Sequence, residues 1–80
     1  MVTKEQSRAG RGLVEWSQAD LAAAANVSLS TVRDFEKGRR TPHANNLAAI
    51  RSALESAGVE FIPENGGGPG VRLKKADSAR

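Results

Sequence analysis

The stretch SQADLAAAANVSLSTVRDFEKG, residues 17–38, predicts two short helices joined by a tight turn. Ser17 and Asp20 have the spacing of a capping box, so the earlier of the two helices begins there. Asn26 ends that helix because it tolerates the left-handed backbone conformation. Ser28 is well suited to cap the next helix. Since only a few residues separate the two helices, we expect a sharp angle between them.

The later of these helices, residues 28–37, combines a narrow apolar face with an opposite polar face. Val32 and Phe35 lie on the apolar face, where they can anchor the helix to the rest of the domain. The opposite face carries Ser30, Arg33, Asp34 and Lys37, with Leu29 and Thr31 beside them near the beginning of the helix. Such a face offers hydrogen-bond donors and acceptors to the outside, which indicates a helix presented to a partner.

A helix is also predicted before this stretch, from about Thr3 to Val14. Gly10 and Gly12 each weaken it by up to ~1 kcal/mol relative to alanine, so tertiary packing has to support it. Trp16 follows, just before the cap of the second helix, in the position of a hydrophobic staple. This spacing favours a structural role for the tryptophan over stacking on a nucleic-acid base.

A fourth helix is predicted after Gly38, which is a natural residue to end the third. It begins after Pro42, with either Thr41 or His43 at its cap, and ends at Gly58. One apolar face, spaced at i, i+3, i+7 and i+10, is formed by Leu47, Ile50, Leu54 and Ala57.

Two strands are predicted at the C-terminal end, VEFI (59–62) and VRLK (71–74), separated by the turn-forming segment PENGGGPG. The apolar residues expected on one face of this hairpin are Val59, Phe61, Val71 and Leu73. Two strands alone are marginally stable. They must therefore pack on the helices or pair with the same segment of a second chain.

The composition restricts the class of protein. A chain of 80 residues forms one small domain, and the lack of cysteine excludes disulfides and thiolate metal sites. The single histidine, His43, has no evident partner, so we expect no metal, no cofactor and no enzymatic activity. No apolar run approaches the ~20 residues of a membrane span, and the N-terminus lacks an apolar signal core. The sequence therefore predicts a cytoplasmic protein.

The distribution of charge is more informative than the net charge of +3 or the pI of about 10.0. One basic cluster within eight residues consists of Arg33, Lys37, Arg39 and Arg40, and a second near the C-terminus of Arg72, Lys74, Lys75 and Arg80. Clustered cations are typical of a phosphate-binding surface. The second cluster is either a solvated strand face or a further contact with DNA.

Residues 18–37 resemble the helix-turn-helix of the lambda-type (XRE/Cro/C1-type) repressor family, and the resemblance extends over about residues 5–58. The segments that carry the resemblance are WSQADLA, STVRDFEKG and RRTP. The apolar and small positions of the family pattern are occupied by Leu21, Ala22, Ala25, Val32 and Phe35. Asn26 replaces the usual glycine of the turn. The fold implied is mainly α, a four-helix lambda-repressor-like domain over residues 1–58. The two-stranded β extension over 59–74 is not part of the minimal family domain and resembles an appendage of some short members, and a disordered tail is predicted at 75–80.

The resemblance also implies the role of each site residue. The third helix would lie in the major groove of double-stranded DNA and contact bases through Leu29, Ser30, Arg33 and Asp34. Arg33 suits guanine O6 and N7, and Asp34 either accepts from cytosine N4 or, as we prefer, orients Arg33. Phosphate contacts are expected from Ser17, Gln18, Ser28, Thr31, Lys37, Arg39, Arg40 and His43. The family pattern further suggests a structural ion pair between Glu36 and Arg11.

Two functions are compatible with this pattern. The first is a sequence-specific transcriptional regulator, a homodimeric repressor that binds a palindromic operator and excludes polymerase sterically. The four apolar strand residues are its predicted dimer interface, with the fourth helix as the second choice. The alternative is an antitoxin or antiactivator that uses the same fold to bind a protein partner, which the apolar, outward-facing Leu29 would favour. Salt-dependent binding to a palindrome supports the first; tight binding to a protein without DNA affinity supports the second.

Overall fold

A computed structural model describes residues 1–74, which form four helices followed by a two-stranded sheet. The elements are α1 (Lys4–Val14), α2 (Gln18–Ala25), α3 (Leu29–Glu36), α4 (Ala44–Ser56), β1 (Val59–Ile62) and β2 (Gly70–Leu73). This mainly α arrangement confirms the predicted fold class. The tail predicted to be disordered, residues 75–80, lies outside the described residues. None of the helices in residues 1–74 combines the length and apolar character needed to cross a membrane.

Reciprocal capping boxes set the beginnings of α1 and α2. At α2 the Ser17 hydroxyl accepts from the Asp20 N–H, and the Asp20 carboxylate accepts from the Ser17 N–H, both at 3.0 Å. Thr3 and Gln6 make the same pair of 3.0 Å bonds at α1. Since each box satisfies two backbone donors that a helix end leaves without partners, both short helices have defined starts.

The turn between α2 and α3 has the predicted geometry. Asn26 lies in the left-handed region, with φ 57° and ψ 45°. Ser28 caps α3, its hydroxyl accepting from the Thr31 N–H at 3.1 Å. At the other end of α3, Gly38 has a φ of 78° and turns the chain away. The sequence left either Thr41 or His43 as the N-cap of α4. In the structure the N-cap is His43, whose side chain makes no capping hydrogen bond.

The core lies where α1, α2, α3 and α4 meet, and it extends to β1. Its apolar side chains are Val2, Leu21, Ala22, Ala25, Val32, Phe35, Leu47, Ile50, Ala53, Leu54, Val59 and Phe61. Trp16 is half-buried and packs against this core, in agreement with a structural role. Gly10 is explained by packing: a Cβ there would lie 3.2 Å from Leu54 Cδ1. The glycine thus lets α1 approach α4 closely, whereas Gly12 faces open space.

The two strands pair antiparallel within the chain, with Val59 opposite Leu73 and Phe61 opposite Val71. These four residues share one face, as predicted, but the two strands differ in burial. Val59 and Phe61 are 0% and 9% exposed, whereas Leu73 is 52% exposed. The predicted dimer residues Val59 and Phe61 therefore belong to the core of the protomer, because β1 packs directly on α4 and α1. β2 is further held to α1 by the Gln6 side chain, which donates to the Gly70 carbonyl at 3.0 Å.

Candidate nucleic-acid interface

Helix α3 buries one face and exposes the other. Val32 and Phe35 are buried in the core, at 0% and 8% exposure. Leu29 is 44% exposed, and 47% of the Arg33 side chain is accessible. Ser30 is exposed beside them. Three of the four residues expected to contact bases thus lie together on the open face of α3.

Asp34, the fourth of these residues, is half-buried and lies beside Arg33. Its Oδ1 is 3.9 Å from Arg33 Nε, at the outer limit of an ion pair. The separation is too long for a hydrogen bond and leaves the two terminal nitrogens of the guanidinium unoccupied by Asp34. The geometry therefore leaves Arg33 able to bind a partner through its planar fork, and the orienting role of Asp34 stays a prediction.

Hydroxyl groups crowd the N-terminal end of α3. Ser28 Oγ lies 3.1 Å from Ser30 Oγ and 2.7 Å from Thr31 Oγ1, so the three side chains form one hydrogen-bonded cluster. Ser17 occupies the corresponding position at the exposed beginning of α2. Two of the three O–H groups in this cluster are used between the hydroxyls, which leaves one free donor, whereas Ser17 keeps its own O–H as a donor. Together with the unpaired backbone N–H groups, these ends favour an anion.

Glu36 is the charged centre of a buried network that joins α1, α2 and α3. It is only 2% exposed, and its carboxylate forms the predicted ion pair with Arg11, whose Nη2 and Nε donate at 2.7 and 3.0 Å. Ser7 Oγ donates to the same carboxylate at 2.5 Å and Gln18 Nε2 at 3.2 Å. The Arg11 ion pair is thus confirmed. The network also engages one amide hydrogen of Gln18, and its second amide hydrogen remains a donor for a phosphate.

The protonation of Glu36 depends on opposing effects. Burial by itself raises the pKa of Glu36, but hydrogen bonds from Arg11, Ser7 and Gln18 and the charge of Arg11 together hold it below its ordinary value. The bond to Glu36 correspondingly raises the pKa of Arg11, against the effect of burial. Both groups are therefore charged at neutral pH, and the network around them links α3 to α1 and α2.

The expected phosphate contacts beyond α3 lie on the loop that leads to α4. The exposed residues at the end of α3 and along this loop include Lys37, Arg39, Arg40 and His43. Two cations of α1 reach the same end of α3: Arg8 donates to the Glu36 carbonyl, and Lys4 lies against Gly38. Neither residue was among the contacts predicted from the sequence. Their i, i+4 spacing placed them on one face of α1, but only the tertiary structure shows what that face meets.

The C-terminal basic cluster is partly neutralised. Arg72 Nη2 lies 3.0 Å from Glu60 Oε2, directly across the strand pair. The hydrogen bond from Arg72 holds the pKa of Glu60 below its ordinary value. This exposed ion pair fits a solvated strand face better than a second DNA contact, while Lys75 and Arg80 lie outside the described residues. Among residues 1–74 no group of three or more His, Cys, Asp or Glu side chains could hold a metal ion.

The comparison with known protein families agrees with this geometry. A family model described as helix-turn-helix matches residues 8–61, which is more than half of the chain and includes all of α2, α3 and α4. No match was found among curated proteins. The chain therefore belongs to the helix-turn-helix family of the lambda (XRE) type, whose members are DNA-binding transcription regulators.

Proposed function

We propose that this protein is a sequence-specific, double-stranded DNA-binding repressor that acts as a homodimer on a palindromic operator in the cytoplasm. The observation that carries the proposal is the division of α3 into a buried face and an open face. Its inner residues are held by the core, whereas Leu29, Ser30 and Arg33 are exposed together. A helix anchored in this way can enter the major groove without losing contact with its own domain.

Base contacts would come from the open face of α3. Arg33 has the geometry for a bidentate contact with guanine O6 and N7, and Leu29 suits an apolar contact with a thymine methyl group. Ser30 can donate to or accept from either kind of base pair. Asp34 would hold Arg33 in position, because a carboxylate directed at DNA is repelled by the phosphates.

Phosphate contacts would position the protein on the duplex without distinguishing sequences. The proposed donors are Ser17, Gln18, Ser28, Thr31, Lys37, Arg39, Arg40 and His43. The first four lie at the beginnings of α2 and α3, where backbone N–H groups add to the attraction. The others lie at the end of α3 and in the following loop. Repression would then require only that the bound protein covers a promoter.

A direct test is equilibrium binding to a mixed-sequence duplex, followed by fluorescence anisotropy over a range of salt concentrations. If about four to six phosphates are neutralised per subunit, log K should fall with log salt with a slope of about 4 to 5 per subunit. A protein without measurable affinity for any duplex would refute the proposal and direct attention to a protein partner, as expected of an antitoxin or antiactivator.

The homodimer is proposed from the geometry of DNA recognition and from β2. One recognition helix contacts only a few base pairs, so two half-sites one helical turn apart give useful specificity. On β2, Leu73 is 52% exposed and Val71 is half-buried. In residues 1–74 β2 pairs with β1 alone, so its other edge has no strand partner within the protomer, and we propose that the same strand of a second chain pairs there. The surface of α4 is the second choice for this interface.

Replacing Leu73 with Asp is expected to raise the monomer fraction in sedimentation velocity, because a charge would enter the proposed apolar contact. Asn65→Asp adds the same charge in the exposed loop between the strands and should leave the dimer unchanged. Circular dichroism should show both variants folded, since neither side chain belongs to the core. A dimer that persists in Leu73→Asp would place the interface on the helices instead.

A further inference from the structure

An open cleft between α1 and the C-terminal end of α3, here called the α1–α3 cleft, concentrates positive charge. It is lined by Lys4, Arg8, Arg11, Gln18, Glu36, Lys37 and Arg39. Five of these seven side chains are cationic, and Glu36 is the single carboxylate. Because Glu36 is already bound by Arg11, the other four cations face the cleft without a compensating charge in its lining.

The two cations from α1 are directed toward α3 by specific contacts. Arg8 Nη1 donates to the backbone carbonyl of Glu36, the last residue of α3. Lys4 Nζ comes so close to Gly38 that a Cβ at that glycine would be 2.9 Å from it. Both side chains therefore lie at the C-terminal end of α3, whereas the residues expected to contact bases start at its N-terminal end.

A purely structural role does not account for the whole cluster. Cations at the C-terminal end of a helix do interact favourably with its dipole and its free carbonyl groups. Arg8 meets that need, because it already donates to a terminal carbonyl. Lys4, Lys37 and Arg39 make no ion pair within the described part of the chain. Their mutual repulsion disfavours the fold, whereas a polyanion in the cleft would relieve it.

We propose that Lys4 and Arg8 of α1, together with Lys37 and Arg39, bind the phosphodiester backbone of the duplex beside the bases that α3 contacts. The inference rests on the proposed function and extends its phosphate contacts to a helix outside the helix-turn-helix. The first residues of a recognition helix contact bases. The opposite end of α3, about 12 Å away at 1.5 Å per residue, then meets the backbone that borders the groove.

The test compares two double variants on a duplex that carries the operator with long flanks. Lys4→Gln with Arg8→Gln removes both charges, and Lys4→Arg with Arg8→Lys keeps them. Each phosphate contact contributes about 0.9 to the slope of log K against log salt. We expect the slope of the neutral variant to be smaller by about 2, with equal weakening on operator and random duplex. The charge-keeping variant should retain the slope of the unchanged protein.

The outcomes distinguish this inference from the proposed function. If the unchanged protein binds duplex and the neutral variant has the same slope, the α1 cations do not contact DNA and the inference is wrong. If the unchanged protein binds no duplex, the proposed function itself fails. Should the double variant not fold, Lys4→Gln alone, which removes no hydrogen bond, must still lower the slope by about 1. Saturable binding of inorganic phosphate with an unchanged DNA slope would identify a small-anion site and overturn the proposal.

Discussion

Replacing Glu36 with Gln is expected to lower the free energy of unfolding by about 3 kcal/mol. The change removes one partner of a buried ion pair and leaves the mostly buried charge of Arg11 uncompensated, which typically costs about 3–5 kcal/mol. The lower end applies because 18% of the Arg11 side chain is accessible to water. Since small domains are stable by only about 5–15 kcal/mol, the loss is a large fraction of the total.

Urea denaturation followed by circular dichroism measures this loss. Glu55→Gln is the matched control, because Glu55 pairs with Arg51 on α4 at 3.1 Å but about 40% of each side chain is exposed. An exposed helical pair of this kind contributes about 0.3–0.5 kcal/mol. Equal losses in the two variants would show that the Glu36 network does not hold the three helices together.

The pH dependence of stability gives an independent measurement on the same network. The folded-state pKa of Glu36 lies below its unfolded value, so the carboxylate contributes stability above the unfolded pKa. That contribution is lost as the pH falls through the folded-state pKa. The stability difference between the unchanged protein and Glu36→Gln should therefore be full at neutral pH and shrink on acidification below the ordinary range of glutamate. A difference that stays constant would contradict the charged state of Glu36.

Arg33→Ala is expected to weaken binding to the operator by about 1–3 kcal/mol, or roughly fivefold to 150-fold. The loss arises because the guanidinium fork, which is exposed on α3, would no longer donate two hydrogen bonds to a guanine. Binding to random duplex should fall much less. One base position in each half-site should then tolerate substitution.

Lys37→Ala is the matched control for this prediction, since it removes one positive charge from the exposed end of the same helix. As a phosphate contact, Lys37 should contribute equally to operator and random duplex and lower the salt slope by about 1. Both affinities are measured by anisotropy with labelled duplexes. If Arg33→Ala weakened operator and random duplex to the same extent, Arg33 would be a phosphate contact and a different residue would select the base.

The ends of the helices were predictable because they depend on local rules. Ser17, Asn26, Ser28 and Gly38 each act through their own backbone conformation or through a neighbour within a few residues in the chain. The Thr3–Gln6 box at α1 follows the same local rule and has the sequence spacing of a capping box. The two faces of α3 were predictable for a similar reason, since a helical repeat fixes which side chains point the same way.

Features that depend on contacts between distant segments were not predictable in the same way. The alternation of β1 and β2 predicted a shared apolar face, but not that Val59 and Phe61 would enter the core while Leu73 stayed exposed. Gly10 looked like a weakness of α1 until its closeness to Leu54 explained it. The approach of Arg8 to the end of α3 spans 28 residues of sequence, and no local pattern specifies it.

Selection of bound sequences from a random pool of DNA duplexes tests most directly whether α3 is the base-contacting helix of a dimeric regulator. We predict an enriched sequence with two inverted half-sites whose centres lie about 10–10.5 base pairs apart, one turn of the duplex. Repeating the selection with Arg33→Ala should enrich the same palindrome with one symmetric pair of positions relaxed. A pool that stays random after repeated rounds, or one whose enriched sequence is unaffected by Arg33→Ala, would contradict the account.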